Sequence, residues 1–332
     1  MTCRAIILND TRRVYGHLGC TTVMASIEEL CRKHNISIVR SFKDQHIIKS
    51  DTFAQYIEQI DLVILNGEGT MHHDREAPAN LMQAARYAKS RGKKVYLINS
   101  IWQENPVLSK MLNIFDKVYF RDSFSFREAR DHTSNLSFVP DLSLYKSEAP
   151  ESFSLTQKRS SLIVIDSIYR QTSRQLLQLA NSFKVPFFAM GHKHVLRNYV
   201  YDPVASLKPV RKSLIRNLTL RNLFETDRAL TGRFHGMLLC AKLGIPFAVV
   251  KSNSHKIEAF LNDIGLTDFP FLLDKSDLTP SKSLYNFIED MDQYWTEKRI
   301  NQCTAYVTDI QPQIEGMFAE IATSKNKTEK SQ

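Results

Sequence analysis

The sequence predicts a two-lobed α/β protein with a parallel sheet in each half of the chain. Short apolar runs alternate with longer segments of helical periodicity, which is typical of βαβ units with parallel strands. The alternation occurs twice, because the polar segment 146–159 has no apolar period and interrupts it. The length of 332 residues also fits two domains, each large enough to bury a core.

The first half of the chain predicts an N-terminal lobe over residues 1–147. Its candidate strands are short and apolar: 4–8, 36–40, 62–65, 95–99, 118–120 and 136–139. Helical periodicity predicts the connecting helices 22–34, 79–91 and 123–131.

The second half repeats the alternation and predicts a C-terminal lobe over residues 148–290. Its candidate strands are 162–166, 185–190, 229–231 and 246–250, and its candidate helices are 170–182 and 236–243. The segment 281–322 has a helical period with interleaved charges, and the polar stretch 324–332 predicts a disordered tail. We assign residues 291–332 to a C-terminal helix and tail.

The composition excludes several classes of protein. Hydrophobic residues make up 43% and charged residues 24% of the chain, which is ordinary for a globular protein and excludes wholesale disorder. No apolar stretch approaches about 18 residues, and the apolar run 5–8 is too short for a signal-peptide core. The five cysteines are scattered without a CxxC pair, which supports neither a disulfide framework nor a zinc site. We therefore expect a cytoplasmic protein.

Positive charge is concentrated in the second half of the chain. The formal net charge is +9, and the segment 184–256 contains 13 Lys and Arg against three acidic residues. Such a concentration predicts an anionic partner, which can be a phosphate, a nucleic acid or an acidic membrane surface. A solvated basic face is the alternative that charge alone leaves open.

A glycine-rich motif follows the predicted strand 62–65. The segment 66–70 reads NGEGT, and His72 and His73 come directly behind it. Glycines at the end of a strand let the backbone approach a ligand closely. The motif predicts a loop that faces a substrate, and a tight turn with surface histidines is the alternative. A metal site is disfavoured because no third well-spaced ligand accompanies the histidines.

Two further motifs are basic. Arg121 ends an apolar strand just before a helix that Asp122 can cap, so it can clamp an anion. Arg233 and His235 stand between a short strand and an apolar helix, and Lys256 follows the next strand. A histidine beside an arginine at an anion site suits general acid catalysis on a phosphorylated substrate.

These motifs resemble those of the polysaccharide pyruvyltransferase family. The C-terminal match is an Arg-x-His-Gly element, an apolar helix, a Gly-Ile-Pro turn and a downstream lysine, here Asp227, Arg233, His235, Gly236, Gly244, Ile245, Pro246 and Lys256. The N-terminal half adds a looser match in the right order: Gly19, segment 61–69, Arg121, Asp122, Ser125 and Asp141. Glu68 departs from the family pattern, because it interrupts what is commonly a run of glycines.

The resemblance implies a GT-B-like fold of two Rossmann-like lobes and phosphoenolpyruvate as the donor. The expected product is a pyruvate ketal that bridges two hydroxyls of a sugar in a surface polysaccharide or its lipid-linked precursor, with release of phosphate. His235 and Arg233 are the expected catalytic residues, with His235 as proton donor. The expected phosphoenolpyruvate site is cationic. It consists of Arg233, His235 and Lys256 from the C-terminal lobe and Arg121 from the N-terminal lobe.

The acceptor is expected on the N-terminal lobe, where Glu68 and His72 would orient or deprotonate a sugar hydroxyl. No step of this reaction requires a cofactor or a metal. A GT-B-type nucleotide-sugar glycosyltransferase is the alternative, because a donor diphosphate would use the same cations. Such an enzyme often also binds the ribose of its donor with a carboxylate. Glu258 is the only acidic residue that closely follows Lys256, which argues against this alternative.

A non-enzymatic scaffold would explain the basic segment but not the ordered Arg-x-His-Gly motif. No basic stripe with interleaved aromatic residues indicates single-strand binding, so we expect no nucleic-acid partner. We do expect the protein at the inner face of the cell membrane, in peripheral contact with anionic lipid through a set of basic residues: Lys208, Arg211, Lys212, Arg216 and Arg221.

Overall fold

The computed structural model describes residues 2–12, 17–43, 47, 51–145, 161–190 and 226–323. Within these ranges the chain forms two parallel sheets with helices between successive strands, which confirms the predicted fold class. No helix in the described ranges is long and apolar enough to cross a bilayer. The predicted linker 146–159, the tail 324–332 and the basic residues expected at a membrane (208–221) lie outside the described residues. The domain boundaries at 147 and 290 therefore stay predictions.

The N-terminal sheet contains the strands β1 (Cys3–Leu8), β2 (Ile36–Phe42), β3 (Leu62–Glu68), β4 (Lys94–Ser100), β5 (Lys117–Phe120) and β6 (Leu136–Phe138). They lie in the order β2-β1-β3-β4-β5-β6, and neighbouring strands pair in parallel. The helices of this lobe are α1 (Leu18–Lys33), α2 (Asp51–Ile57), α3 (Glu76–Ser90) and α4 (Ser123–Ala129). Every residue of β3 is buried, as expected for a central parallel strand covered on both faces.

The C-terminal sheet contains the strands β7 (Ile163–Ser167), β8 (Phe187–Phe188), β9 (Ala229–Gly232), β10 (Phe247–Val250) and β11 (Leu272–Leu273). They lie in the order β11-β10-β9-β7-β8, again with parallel pairing. The helices of this lobe are α5 (Arg170–Phe183), α6 (Phe234–Leu243) and α7 (Lys256–Asp263). Because β9 and β10 are neighbours, the helices that follow them, α6 and α7, begin side by side at one sheet edge.

The last part of the chain is helical, as predicted. It forms α8 (Lys282–Glu289), α9 (Met291–Tyr294), α10 (Glu297–Asp309) and α11 (Gln311–Thr323). Helix α11 returns to the N-terminal lobe, where Glu315 accepts from Lys33 at 2.6 Å and from the Tyr145 hydroxyl at 3.0 Å. Exposed ion pairs of this kind stabilise little, so the docking of α11 depends mainly on its buried apolar side chains: Ile314, Met317, Phe318 and Ile321.

The two lobes share a hydrophobic core. One cluster of buried side chains is confined to the N-terminal lobe, on the face of its sheet that α3 covers. The other runs without interruption from α1, through the 3₁₀ turn Leu142–Leu144, into the sheet and helices of the C-terminal lobe. This continuous apolar contact fixes the lobes against each other on one side of the site described below.

Two helices and one strand within the described ranges were not predicted from the sequence. The helices are α2 and α7, and α7 begins at Lys256 itself. Strand β11 consists of Leu272 and Leu273 alone, which is too short to produce a period. The predicted strand 185–190 is also shorter than expected, since only Phe187 and Phe188 pair with β7.

Two glycines of the C-terminal part should respond in opposite ways to alanine. Gly316 lies inside α11 with open space around its Cβ position, so Gly316→Ala should raise the free energy of unfolding by about 0.5–1 kcal/mol. Gly244 ends α6 in the left-handed region at φ 65°, where a side chain costs about 1–2 kcal/mol, so Gly244→Ala should lower it. Chemical denaturation of the two variants checks the signs. A decrease for Gly316→Ala would contradict the first assignment, and an increase for Gly244→Ala would contradict the second.

Candidate active site

The carboxyl ends of the two sheets face each other and bring the predicted site residues together. From the N-terminal lobe, Glu68 ends β3 and Arg121 follows β5. From the C-terminal lobe, Arg233 and His235 follow β9, and Lys256 begins α7. Charged groups approach each other across the lobes where His235 meets two carboxylates. Its Nε2 lies 3.9 Å from Oε1 of Glu68 and 3.8 Å from Oδ1 of Asp141.

His235 lies at the start of α6 with only 10% of its side chain exposed, and its buried Nε2 makes no hydrogen bond in the described structure. Burial lowers the pKa of His235, and the charges of Arg121 and Lys256 act in the same direction. The carboxylates of Asp141 and Glu68 oppose this shift. A buried imidazole with a free nitrogen, held near two carboxylates and two cations, is well placed to exchange a proton with a bound anion.

The start of α1 supports the His235 ring from behind. A Cβ on Gly19 would overlap the imidazole of His235, so only glycine leaves room for the ring in this position. His17 caps α1 by accepting from the Cys20 amide at 3.4 Å, and its ring meets that of His235 edge-on at 5.9 Å between centroids. The glycine near the N-terminus thus has a packing role at the site itself.

Arg121 is almost fully buried, with 1% of its side chain exposed. Its Nη1 donates to Asp141 at 2.9 Å, and its guanidinium lies over the ring of Phe234 at 4.5 Å from the centroid. Although burial alone would raise the pKa of Asp141, the charges of Arg121 and His235 hold it below its ordinary value. Nε of Arg121 is buried and makes no hydrogen bond in the described structure, so it is an unsatisfied donor at the site.

Arg233 is held more tightly. Its Nε donates to Oδ1 of Asp166 at 2.8 Å, and its Nη2 donates to the other oxygen of the same carboxylate. The remaining Nη1 lies 3.1 Å from Nε2 of His17. Because Nδ1 of His17 accepts from the Cys20 amide, its Nε2 carries the hydrogen and cannot accept from Arg233, so Nη1 remains a donor for a ligand oxygen.

Glu68 is buried in a conformation that is uncommon for a residue with a side chain, at φ 42°. Its Oε1 accepts from the thiol of Cys20 at 3.1 Å, whereas its Oε2 has no hydrogen-bond partner in the described structure. Strands β3 and β4 approach each other closely just before Glu68, since a Cβ on Gly67 would overlap Ser100 of β4. One carboxylate oxygen of Glu68 is thus held by a hydrogen bond, and the other can accept a proton or a hydrogen bond from a hydroxyl group.

Lys256 is half-buried, and its Nζ donates to Asn253 at 3.2 Å. Burial lowers the pKa of Lys256 to about 7, with a further lowering by the charges of Arg121 and Arg233. The charge of Glu68 opposes this shift. An ammonium with this pKa is only partly charged at neutral pH, and a nearby anion would favour its charged form.

His72 is buried in the turn behind β3, with its Nδ1 3.1 Å from Nδ1 of His73. Burial lowers the pKa of His72 to about 4, and the charges of Arg75, His73 and Lys256 add to the effect. His72 is therefore neutral at physiological pH. The influence of Lys256 indicates that this turn borders the same site.

Several residues of the site were not predicted from the sequence. Asp166, which holds Arg233, was not predicted, and neither were His17 beside Arg233 nor Cys20 beside Glu68. Asp141 was noted as part of the motif pattern but was given no role. Asp166 lies at the end of an apolar run, a signal comparable to the one that marked Arg121. Within the described residues, no three His, Cys, Asp or Glu side chains are grouped as a metal site would require.

Comparison with known proteins agrees with this geometry. The family model of polysaccharide pyruvyl transferases matches residues 24–254, which is more than half of the chain. The chain belongs to this family. The predicted family and the predicted class of enzyme, a transferase, are both confirmed. A comparison with curated proteins found no match.

Solved structures similar to this pyruvyl transferase family member share its fold at low sequence identity. S. aureus MnaA, solved with UDP, is 10% identical with a TM-score of 0.56, covering 98% of this chain and 97% of its own. Neisseria meningitidis UDP-GlcNAc 2-epimerase, bound to UDP-GlcNAc, is 12% identical with a TM-score of 0.54, covering 95% and 99%. Acinetobacter baumannii MurG is 14% identical with a TM-score of 0.52, covering 97% and 99%. These similarities confirm the GT-B-like fold.

Two glycines beside the site provide a matched pair of variants. Gly19→Ala should lower turnover by about 10²-fold, because the new methyl group displaces the His235 ring and small misplacements at a reacting centre have effects of this size. Gly69→Ala should leave turnover nearly unchanged, since the nearest atom to its Cβ would be Nη2 of Arg121 at 3.9 Å. Steady-state assays of the two folded variants compare them. Similar losses in both would show that Gly19 does not position His235.

Proposed function

We propose that this protein transfers pyruvate from phosphoenolpyruvate to two hydroxyls of a sugar, forming a ketal and releasing phosphate. The sugar belongs to a surface polysaccharide or its lipid-linked precursor, and the reaction takes place in the cytoplasm or at the inner face of the membrane. One observation carries the proposal: Arg121, His235 and Lys256 converge from two lobes on one buried seam in a chain of this family. Phosphoenolpyruvate is a small ligand with a carboxylate and a phosphate, so it requires several cations at one place.

The donor would bind among these cations. Arg121 offers its unpartnered Nε, and Lys256 offers an ammonium whose charge an anion would stabilise. Arg233 offers Nη1, while its other edge stays on Asp166. The partial positive charge at the first turns of α6 and α7 favours an anion at the same edge.

His235 would start the chemistry as general acid. Transfer of its Nε2 proton to the methylene carbon of phosphoenolpyruvate breaks the C=C bond and leaves an oxocarbenium-like C2. A sugar hydroxyl then forms a C–O bond to C2, and its proton goes to a base. A bound phosphate raises the pKa of His235 and thus supplies the protonated form that burial disfavours in the free protein.

The second half of the reaction closes the ketal. The C2–O bond to phosphate breaks with its electron pair on the leaving phosphate, which Arg121, Arg233 and Lys256 would stabilise. The second hydroxyl then attacks the regenerated electrophilic C2, and its proton passes to the departing phosphate, which leaves as hydrogen phosphate. Glu68 is our base, because its Oε2 is unpartnered in the described structure and its Oε1 lies 3.9 Å from His235, so a proton taken from the acceptor can return to the imidazole.

The acceptor would approach from the side of Glu68 and His72. A sugar hydroxyl is neutral and needs hydrogen-bonding groups rather than cations. His72 is suitable because its lowered pKa of about 4 keeps it uncharged, so it does not compete with Lys256 for the donor phosphate. The peripheral contact with anionic lipid through the basic residues of 208–221 remains part of the proposal.

The alternative donor is a nucleotide sugar. It has one point in its favour: fold relatives were solved with UDP or UDP-GlcNAc bound. At 10–12% sequence identity, however, the similarity to these relatives supports a shared fold and not a shared donor. The assay that decides supplies phosphoenolpyruvate or UDP-GlcNAc with a panel of glycan acceptors, and measures phosphate or UDP release. Phosphate release that requires both phosphoenolpyruvate and an acceptor supports our proposal. Release of UDP from UDP-GlcNAc, with no phosphate release from phosphoenolpyruvate, would overturn it.

The role of His235 is tested by a variant that keeps a hydrogen-bonding side chain. His235→Gln should lower turnover by about 10²–10⁴-fold, because glutamine cannot donate a proton to carbon. The Kd for phosphoenolpyruvate, measured by calorimetry, should change far less. His132→Gln, at an exposed position of the N-terminal lobe, is the matched control. If the Kd of His235→Gln rises as much as its turnover falls, His235 binds the donor and is not its acid.

Lys256 predicts a pH dependence of donor binding. With a lowered pKa of about 7, the free amine loses its charge above neutral pH. The Kd for phosphoenolpyruvate should therefore rise about tenfold or more between pH 7 and pH 9, where the phosphate itself (pKa near 6) is already ionised. Lys256→Arg should flatten this dependence, because a guanidinium stays charged throughout the range. An unchanged slope in Lys256→Arg would assign the dependence to another group.

A further inference from the structure

Helices α4 and α7 join the lobes at one side of the site. At the end of α7, Oδ2 of Asp263 accepts from the Ser123 amide at 3.0 Å, and Asn262 donates to the Ser123 hydroxyl at 3.3 Å. Ser123 is the first residue of α4, so an acidic side chain lies at the N-terminus of that helix, where it is favoured. This contact fixes the far end of α7 on the N-terminal lobe.

The near end of α7 is fixed by His255. Its Nε2 lies 3.3 Å from Oδ1 of Asp122 and 3.2 Å from the hydroxyl of Ser125, and its backbone amide donates to Oε1 of Gln103 at 2.9 Å. Its ring also meets that of Phe124 edge-on, with 5.6 Å between centroids. All four partners belong to the N-terminal lobe, whereas His255 belongs to the C-terminal lobe.

The hydrogen bonds around Ser125 determine which nitrogen of His255 carries a proton. The Ser125 hydroxyl donates to Oδ2 of Asp122 at 2.9 Å and accepts from the Trp102 amide at 2.7 Å. It can therefore only accept from His255, so Nε2 must carry a hydrogen and share it between Ser125 and Asp122. The side chain of His255 acts as a donor across the lobes.

His255 immediately precedes Lys256, the first residue of α7. The side chain of His255 makes no capping bond to α7 in the described structure, so it is not needed to start the helix. Its contacts go to the other lobe instead, and they determine where the first turn of α7 lies relative to Arg121 and Glu68. The ammonium of Lys256 donates to Asn253 of its own loop, and this hydrogen bond does not fix it against the N-terminal lobe.

We infer that His255 is a positioning residue, which brings Lys256 to the donor site by docking the start of α7 on Asp122, Ser125 and Gln103. The inference rests on the proposed function for its ligand, phosphoenolpyruvate, but the docking itself does not depend on the reaction. His255 touches neither the donor nor the acceptor in this arrangement. It acts through Lys256.

Two variants of His255 test the inference with phosphoenolpyruvate as the probe. His255→Ala removes the shared donor and should raise the Kd for phosphoenolpyruvate about tenfold, the size expected for loss of a hydrogen bond to a charged group. His255→Gln can still donate to Asp122 and should restore most of the affinity. His132→Ala, at the exposed position used above, should have no effect.

A double-mutant cycle separates positioning from general destabilisation. In the background of His255→Ala, the change Lys256→Ala should raise the Kd much less than it does in the wild type, because Lys256 has already left the site. Thermal unfolding of all variants excludes loss of the fold. Additive effects of the two substitutions, or an affinity of His255→Gln as poor as that of His255→Ala, would overturn the inference.

A second measurement does not depend on any ligand. The pH dependence of Lys256 labelling by an amine reagent, followed by peptide mass spectrometry, reports the pKa of its ammonium. In the wild type this pKa should lie near 7, and in His255→Ala it should move at least one unit toward the ordinary value of about 10.4, as Lys256 leaves the buried seam. Exposed Lys110 is the internal control. An unchanged pKa would overturn the inference, whereas failure of phosphoenolpyruvate to bind the wild type would overturn only the proposed function.

Discussion

The arrangement of this protein depends on how it buries charge between its lobes. A guanidinium or carboxylate withdrawn from water is tolerated only when a partner and further hydrogen bonds compensate for the lost solvation. Arg121 is compensated by Asp141, and Arg233 by Asp166. Loss of one partner from such a pair costs about 3–5 kcal/mol, because it leaves an uncompensated buried charge.

Charge that is not fully compensated marks the place for a ligand. Within the described part of the chain, His235 has a free nitrogen, Glu68 has a free carboxylate oxygen, and Lys256 is held by a hydrogen bond to a neighbouring loop residue. The pKa values of His235 and Lys256 are both lowered, which means that the seam disfavours additional positive charge. A dianion reverses this preference for both groups. In the proposed reaction, donor binding and protonation of His235 are therefore coupled through the same field.

The sequence was sufficient for the parallel sheets and for the basic residues that converge at the candidate site. Arg121, Arg233 and Lys256 could be predicted because each follows an apolar run, and the carboxyl ends of parallel strands are where ligands bind. Their partners could not be predicted in the same way. Asp166 is 67 positions from Arg233 and His17 is 216 positions away, and no local pattern links residues at such separations. Sequence periodicity predicts where a helix or strand lies in the chain, but not which residues of other elements it contacts.

In the proposed reaction, the lobes do not divide the two substrates cleanly. Arg121 belongs to the N-terminal lobe, yet it lies over the ring of Phe234 in α6 and pairs with a carboxylate that lies close to His235. A donor bound there contacts both lobes, so its affinity depends on how they are held together. That dependence explains why contacts across the lobes lie on two sides of the site, with His17 against Arg233 on one and His255 against Asp122 on the other. A small anion can be bound by cations from two domains only if the domains are fixed to within a fraction of an ångström, which is the tolerance that catalysis at one carbon requires.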